Sequence, residues 1–323
     1  MPSQPIDLNA SLLELRNGRL PLRAQQRLAE ETKDNLFTSD LSVNEFLLAR
    51  ESNMEVISQV MGSCIYHIGI IRDYKGHTGE IESISDAYRQ SRTLAMWRLH
   101  LEAQAVGADA VVGVRLEERW ITMGSHGKGG DDGGEIIEFT VFGTAVKAPW
   151  ITHPRGMPIL TDLSGQDLWA LARDGFEPCG FLFEFCRYHV WHVMGRYQAG
   201  GEVQAARQAM DTARETVQQK LVDQALKHGA EFVVGSDISL TMKEVPCGWE
   251  GCELNDLDVD VSWFATGVRR IPGWQQQQQA TIPPLILSMM PLGRKRGEIV
   301  EGEEEESDRI KELAKREEER RSE

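Results

Sequence analysis

The sequence predicts an α+β protein of two tandem domains, each with the order β-α-β-β and one long helix on a small antiparallel sheet. Three observations predict this class. A segment of the chain recurs 122 residues later, apolar side chains between residues 84 and 103 step by three or four, and the flanking segments are rich in β-branched and aromatic residues. Each domain of about 100 residues is long enough to bury a core.

The internal repeat is clearest in a glycine turn and the strand after it. Residues 107–113 read Gly-Ala-Asp-Ala-Val-Val-Gly, and residues 229–235 read Gly-Ala-Glu-Phe-Val-Val-Gly. The same offset pairs Cys64 with Cys186 and continues to Val146 without a gap. A match of this length indicates two copies of one unit.

A short amphipathic helix and a long strand are expected to begin each unit. The helix covers residues 46–50 and recurs at 168–173, with an offset of 123. The strand covers about 55–71 in the first unit and 179–194 in the second. Gly62 within the first strand indicates a bulge or the close approach of another backbone.

A long helix and a hairpin are expected to complete each unit. The first helix runs over about 81–106, and one apolar stripe along it predicts burial of a single face. Gly107 stands where a glycine commonly ends a helix in the left-handed conformation. Hairpin loops are predicted at 124–134 and 245–256. Since one helix cannot cover both faces of a sheet, such units are expected to pair or to form rings.

The predicted organisation has four parts. They are an N-terminal arm with a short helix, a first domain, a second and more diverged domain, and a flexible tail: 1–42, 43–150, 151–270 and 271–323. The tail carries an apolar motif at 282–292 and a highly charged end. The motif either packs on the protein itself or docks a protein partner.

Composition restricts the classes of partner. The chain has 323 residues, 41% of them hydrophobic, and a formal net charge of −15. An acidic surface repels phosphate backbones, which argues against a nucleic-acid partner. We expect no signal peptide, no transmembrane segment and a cytoplasmic location, where the five cysteines would remain reduced thiols.

The repeated unit resembles the YbjQ-like family, whose members are described as heavy-metal-binding. The resemblance is carried by 107–113 behind a long helix and by the closing strand 141–146, Val-Phe-Gly-Thr-Ala-Val. It covers 45–148, and 166–270 is a diverged copy that closes on 264–268. The resemblance implies a small dodecin-like α+β unit, assembly of the chain with itself into a pentameric ring or pseudo-ring, and a soft divalent metal ion as a candidate cofactor.

Repeated cysteine and histidine residues are the candidate metal ligands, because thiolate and imidazole suit zinc or copper. They are Cys64, His67, Cys186 and His189. Residues three apart on a strand point to opposite faces, so neither Cys–His pair can chelate one ion without a bulge. This favours buried cysteines and hydrogen-bonded core histidines. Other arrangements stay open: Cys64 with Cys186 across an interface; Cys179, Cys186, His189 and His192 at one strand end; Cys247 with Cys252 in a loop.

No catalytic motif is found. The glycine-rich segment 124–130 precedes a strand rather than a helix, so it is interpreted as a hairpin loop and not as a phosphate-binding loop. The leading hypothesis is therefore a non-enzymatic, oligomeric binding or assembly module. The alternatives are a soft-metal-binding protein, or a small-molecule binder or enzyme with a site between subunits.

Overall fold

The chain is a mixed α+β protein in the computed structural model. The structure describes residues 7–34, 38–39, 41–69, 76–122, 135–151, 157–191, 203–247 and 255–274. The helices within these residues are Leu8–Arg16 (α1), Leu22–Asp34 (α2), Val43–Glu51 (α3), Glu82–Ala105 (α4), Gly165–Arg173 (α5) and Gln204–Lys227 (α6). The strands there are Glu55–Gly69 (β1), Gly79–Glu80 (β2), Ala110–Thr122 (β3), Glu135–Lys147 (β4), Ile159–Leu160 (β5), Phe176–Val190 (β6), Phe232–Pro246 (β7) and Asn255–Arg270 (β8).

Two sheets, in the orders β1-β4-β3-β5 and β2-β6-β8-β7, account for the strands of the described residues. The three long strands of each sheet are antiparallel. Each of the two short strands pairs with the sheet of the other unit. β2 precedes α4 in the chain but pairs with β6 of the second sheet, and β5 follows the first unit but pairs in parallel with β3 of the first sheet.

One long helix covers each sheet, as the apolar stripes predict. On α4 the buried positions include Ile84, Tyr88, Ala95, Leu99 and Ala103. The second stripe is confirmed from Ala213 to Ala225, whereas Ala206 and Met210, before it, are only partly buried.

The contact between helix and sheet differs in the two units. A side chain on Gly62 of β1 would lie 2.1 Å from the carbonyl oxygen of Ala95, so the backbone of α4 approaches the strand directly. This confirms the close approach predicted at Gly62. The corresponding position on β6 is Glu184, and Gln224 of α6 bonds the backbone of the neighbouring Phe183.

Local backbone features recur at a spacing of 122 residues. Ser42 caps α3 and Ser164 caps α5, so the predicted offset of 123 for these short helices is wrong. The turns after α3 and α5 also correspond. Asn53 has a positive φ of 58°, and Gly175, which is 122 residues later, has a positive φ of 82°. The strand irregularities also correspond, between residues 56 and 58 in β1 and between 178 and 180 in β6.

Some predicted features fall outside the described residues. They include the 124–134 loop, His192, Cys252 and the tail beyond 274. Within the described residues, no helix combines the length and the apolar character needed to cross a membrane.

Candidate functional site

The two metal-ligand candidates of the first unit lie on opposite faces of β1. Cys64 is 3% exposed in the core beneath α4, and this burial raises the pKa of its thiol. His67 is exposed on the other face, opposite Ile136 of β4. The two side chains are therefore separated by the strand and cannot hold one ion together.

The candidates of the second unit are divided by β6 in the same way, although both are buried. Cys186 is fully buried against α6, and burial raises the pKa of its thiol to about 12. His189 is 1% exposed on the opposite face. Its Nδ1 lies 2.7 Å from Asp258, and its Nε2 lies 3.4 Å from Asp256. The thiol is held in its protonated form, which is a poor metal ligand, and the imidazole is held by carboxylates.

The four candidate ligands thus do not fit one soft-metal site. The two thiols belong to separate apolar clusters, one under each long helix. Among the residues that the structure describes, no group of three or more His, Cys, Asp or Glu side chains could hold an ion. A closed tetrahedral site needs four ligands, which these pairs do not supply.

An aromatic core joins the first helix to the second sheet. Tyr88 of α4 is 1% exposed and stacks on Phe185 and Phe183 of β6, with ring centroids 3.7 and 5.5 Å away. It also meets Phe139 of β4 edge to face at 4.7 Å, and its hydroxyl donates to Glu118 of β3. One face of α4 is therefore covered by its own sheet and another by β6.

A buried ion-pair cluster ties the second sheet to the β3–β4 hairpin of the first. Arg187 of β6 is 2% exposed and donates to both carboxylate oxygens of Asp260 at 2.6 and 2.7 Å. A third donor lies 3.2 Å from Glu135 of β4, and the guanidinium sits 4.3 Å above the ring of Trp120 on β3. Although burial opposes the charge, hydrogen bonds to Asp260 raise the pKa of Arg187. Because the guanidinium has carboxylate acceptors on both sheets, we interpret this cluster as stabilising the fold and not as a binding site.

The segment between the units covers the outer edge of β3. The backbone of Thr161 donates to Val111 at 3.1 Å and accepts from Val114 at 3.0 Å. Its side-chain hydroxyl lies 2.9 Å from that of Thr266 in the second sheet, and both threonines are fully buried. The first sheet therefore has its edge strand protected by the chain itself.

The equivalent strand of the second sheet, β7, is an edge strand without a neighbour on its outer side among the described residues. Gly235 repeats the positive φ of Gly113, at 63° against 61°, so the two strands bend at the same place. Large apolar side chains on β7 are exposed: Phe232 46%, Val233 40%, Ile238 42%, Leu240 37% and Met242 51%. A long apolar edge of this kind can pair with another chain.

Two large apolar side chains on the outward face of β1 are also exposed among the described residues. Met61 of β1 is 42% exposed and Ile65 is 70% exposed. They occupy the positions that correspond, 122 residues later, to Phe183 and Arg187, which are buried against the first unit. We call the contact of β6 with α4 and β3 the internal junction. The equivalent of β6 is β1, and the equivalent of β3 is β7; both have exposed apolar side chains at the two ends of the described fold.

The buried ion pairs and the covered edge are not among the features predicted from the sequence. The sequence does contain a pattern that indicates the ion pairs. Acidic residues alternate along one strand, at Asp256, Asp258 and Asp260, and basic residues alternate along another, at Arg187 and His189. The covered edge has no such pattern, since β5 is only two residues long.

Comparison with known proteins adds four findings. Residues 48–149 match the YbjQ family model, described as "Putative heavy-metal-binding". Encapsulin nanocompartment protein Rv1762c of Mycobacterium tuberculosis is 35% identical over 228 residues, which cover 68% of this chain and 82% of the relative. A UPF0145 protein of Alkaliphilus metalliredigens is 32% identical over 102 residues, 30% of this chain and 88% of the relative. No solved structure matches the chain.

Proposed function

The chain belongs to the YbjQ-like family, and from this premise we propose that it is a non-enzymatic module of two duplicated β-α-β-β units that assembles with further copies of itself. The duplication is supported by the helix caps at Ser42 and Ser164 and by the bends at Gly113 and Gly235, each 122 residues apart. Assembly is supported by the name of the Mycobacterium tuberculosis relative, an encapsulin nanocompartment protein.

The observation that carries the proposal is the pair of exposed counterparts to the internal junction. Inside the chain, the aromatic face of β6 covers α4 and the inner face of β3. At the far end of the described fold, α6 and β7 present the same two elements, and Leu240 and Met242 there are 37% and 51% exposed. At the near end, the outward face of β1 presents Met61 and Ile65 where β6 has its covering residues. A second copy would bring these two surfaces together.

The edge of β7 has a matching partner segment in the next copy. Ser39, Leu41 and Ser42 stand 122 residues before Thr161, Leu163 and Ser164, the segment that covers β3. We therefore place the chain that leads into α3 of one copy along β7 of another, where it would satisfy the open backbone groups.

Such contacts join different surfaces of the two copies, so the assembly is heterologous. A heterologous contact closes into a ring when its rotation divides a full turn and otherwise continues as a filament. The pentameric ring implied by the family resemblance is one closed form, and the mass of the assembly identifies which form occurs.

Native mass spectrometry of the purified full chain, before and after a chelator, tests the proposal. We expect a discrete species at twice 36.3 kDa or a higher integer multiple, which the chelator does not change. Met242→Asp places a charge in the proposed contact and should weaken assembly at least about tenfold. The matched control Leu12→Asp, on α1, alters a residue of similar exposure (53% against 51%) and should leave the mass unchanged. A wild-type chain that is monomeric at micromolar concentration would refute assembly.

The same measurement addresses the metal-binding alternative. A stoichiometric ion that the chelator removes, and that a Cys64→Ala/Cys186→Ala variant fails to bind, would transfer the proposal to a soft-metal-binding protein. Equal ion content in the variant and the wild type would exclude these two thiols as ligands.

A further inference from the structure

A cleft of about 640 Å³ lies between α4, the segment leading into β5, and β6. Its floor is apolar and includes Met96, Pro158, Pro178 and Phe181. Pockets that bind small organic molecules have volumes of this order and a mostly apolar lining with a few polar groups. All of its lining residues belong to one chain, so the cleft exists independently of assembly.

The charged lining of the cleft is entirely basic. The described lining residues include Arg92, Lys227 and Arg269, together with His100 and His228, and contain no aspartate or glutamate. This is unusual for a chain with a formal net charge of −15. A local group of cations in an acidic protein creates a positive potential where the surrounding surface is negative, and this favours an anion at that place.

Arg92 is one of two cations in this cleft without an ion pair to a described residue. Its Nε is buried without a hydrogen-bond partner, and the guanidinium makes no ion pair with any described residue. The group instead lies 4.4 Å from the ring centroid of Phe183. The carboxylate that contributes to its field, Glu184, is engaged by Arg89 at 3.4 Å. Burial lowers the pKa of Arg92 to about 9, as expected for a cation without a partner.

Some of the other basic groups already have a hydrogen-bond or ion-pair partner, and others do not. His100 donates its Nε2–H to the carbonyl of Pro158 at 2.7 Å, and Arg269 is paired with Glu177 at 2.8 Å. Lys227, the last residue of α6, has no ion pair with a described residue. Arg92 and Lys227 are therefore the two cations that can receive a ligand.

We propose that this cleft binds a small amphipathic organic anion, whose carboxylate or phosphate head meets Arg92 and Lys227 while its apolar body lies on Phe181 and the neighbouring proline and methionine side chains. A charge-assisted hydrogen bond to a buried guanidinium is among the stronger polar contacts in proteins. The ligand would supply the negative charge that the Arg92 guanidinium lacks among the described residues.

Fluorescence titration of the full chain with anilinonaphthalene sulfonate, an anion with an aromatic body, tests the inference. We expect saturation at one site per chain, and displacement of the probe by decanoate. Arg92→Met keeps the packing volume and should weaken binding of the probe at least about tenfold, the equivalent of one charge-assisted hydrogen bond. Arg16→Met removes the same charge from an exposed position on α1 and should bind as the wild type does.

Three results would overturn the inference. The first is an Arg92→Met variant that binds the probe with wild-type affinity, and the second is an equal loss in Arg16→Met. The third is displacement by inorganic phosphate but not by decanoate, which would exclude an apolar body. Since Arg92→Met removes an unpaired buried cation, its melting temperature should not fall. If that variant does not fold, Lys227→Met at the end of α6 tests the same site, with a weakening of at least about threefold expected.

Discussion

The buried pair of Arg187 on β6 and Asp260 on β8 offers the sharpest test of how the second sheet is stabilised where it meets the first unit. Asp260→Ala removes the carboxylate that accepts two hydrogen bonds from a guanidinium that is 2% exposed. Removing one partner of a buried pair costs roughly 3–5 kcal/mol, because the other charge stays buried without compensation. Glu135 at 3.2 Å retains part of that compensation, so we expect a loss near the lower limit, about 3 kcal/mol.

A double variant separates the value of the pair from the cost of breaking it. Arg187→Ile/Asp260→Leu replaces both charges by apolar side chains, and isoleucine is what the first unit carries at the equivalent position, Ile65. Glu135 is left without its arginine, but its side chain is 33% exposed and can be solvated. Because replacing a buried ion pair by apolar residues is often neutral, we expect a loss of at most about 1 kcal/mol.

Urea unfolding, followed by circular dichroism at one fixed protein concentration, measures both losses. The control is Asp211→Ala, which removes an ion pair of 3.9 Å whose side chains are 64% and 65% exposed, and should change the unfolding free energy by less than about 0.5 kcal/mol. The reasoning is refuted if Asp260→Ala lies within about 1 kcal/mol of the wild type. It is also refuted if the double variant loses as much as the single one.

Three further predictions concern single residues. Burial raises the pKa of Asp162 to about 6, so the stability that its protonated form provides is present at low pH and is lost as the pH rises through about 6. The stability of Asp162→Asn relative to the wild type should therefore increase by about 1 kcal/mol between about pH 4 and 7, as measured by thermal melts. Gly62→Ala should cost about 2 kcal/mol or more in urea unfolding, because the added carbon would lie 2.1 Å from the carbonyl oxygen of Ala95. Cys64 and Cys186 should react with Ellman's reagent only as fast as the protein opens, because their side chains are 3% and 0% exposed and burial also raises the pKa of both thiols.

Each of these predictions has a matched control. Asp211→Asn, at an exposed carboxylate, should show no change in relative stability over the same pH range. Ser63→Ala, next to Gly62 on the exposed face of β1, should leave stability within about 0.5 kcal/mol of the wild type. Removing either buried cysteine should leave any fast phase of thiol modification unaltered, and loss of that phase in Cys64→Ala or Cys186→Ala would contradict the burial of that thiol.

The features that the sequence predicts well are those set by local spacing. The stripe on α4 and the glycine turn at Gly107 follow from helical periodicity and from the conformational freedom of glycine. The separation of Cys64 from His67 follows from the alternation of side chains along a strand. Each of these properties depends on neighbours within a few residues, so the printed sequence contains enough information.

The features that the sequence does not predict depend on contacts between distant segments. β2 joins the second sheet although it precedes α4, and neither its length nor its composition indicates that exchange. The cleft at Arg92 forms where an arginine of one unit meets a face of the other, so its unpaired charge is visible only in three dimensions. Strand pairing across units is selected by the global packing, not by a local pattern.

The cover that Thr161 provides for β3 has a consequence for dividing the chain. The predicted boundary between the domains falls at 150, before the covering segment begins. A fragment that ends there would expose the backbone of β3, and an open strand edge promotes aggregation of identical chains. A soluble fragment of the first unit therefore has to extend through Ser164, into what the sequence assigns to the second.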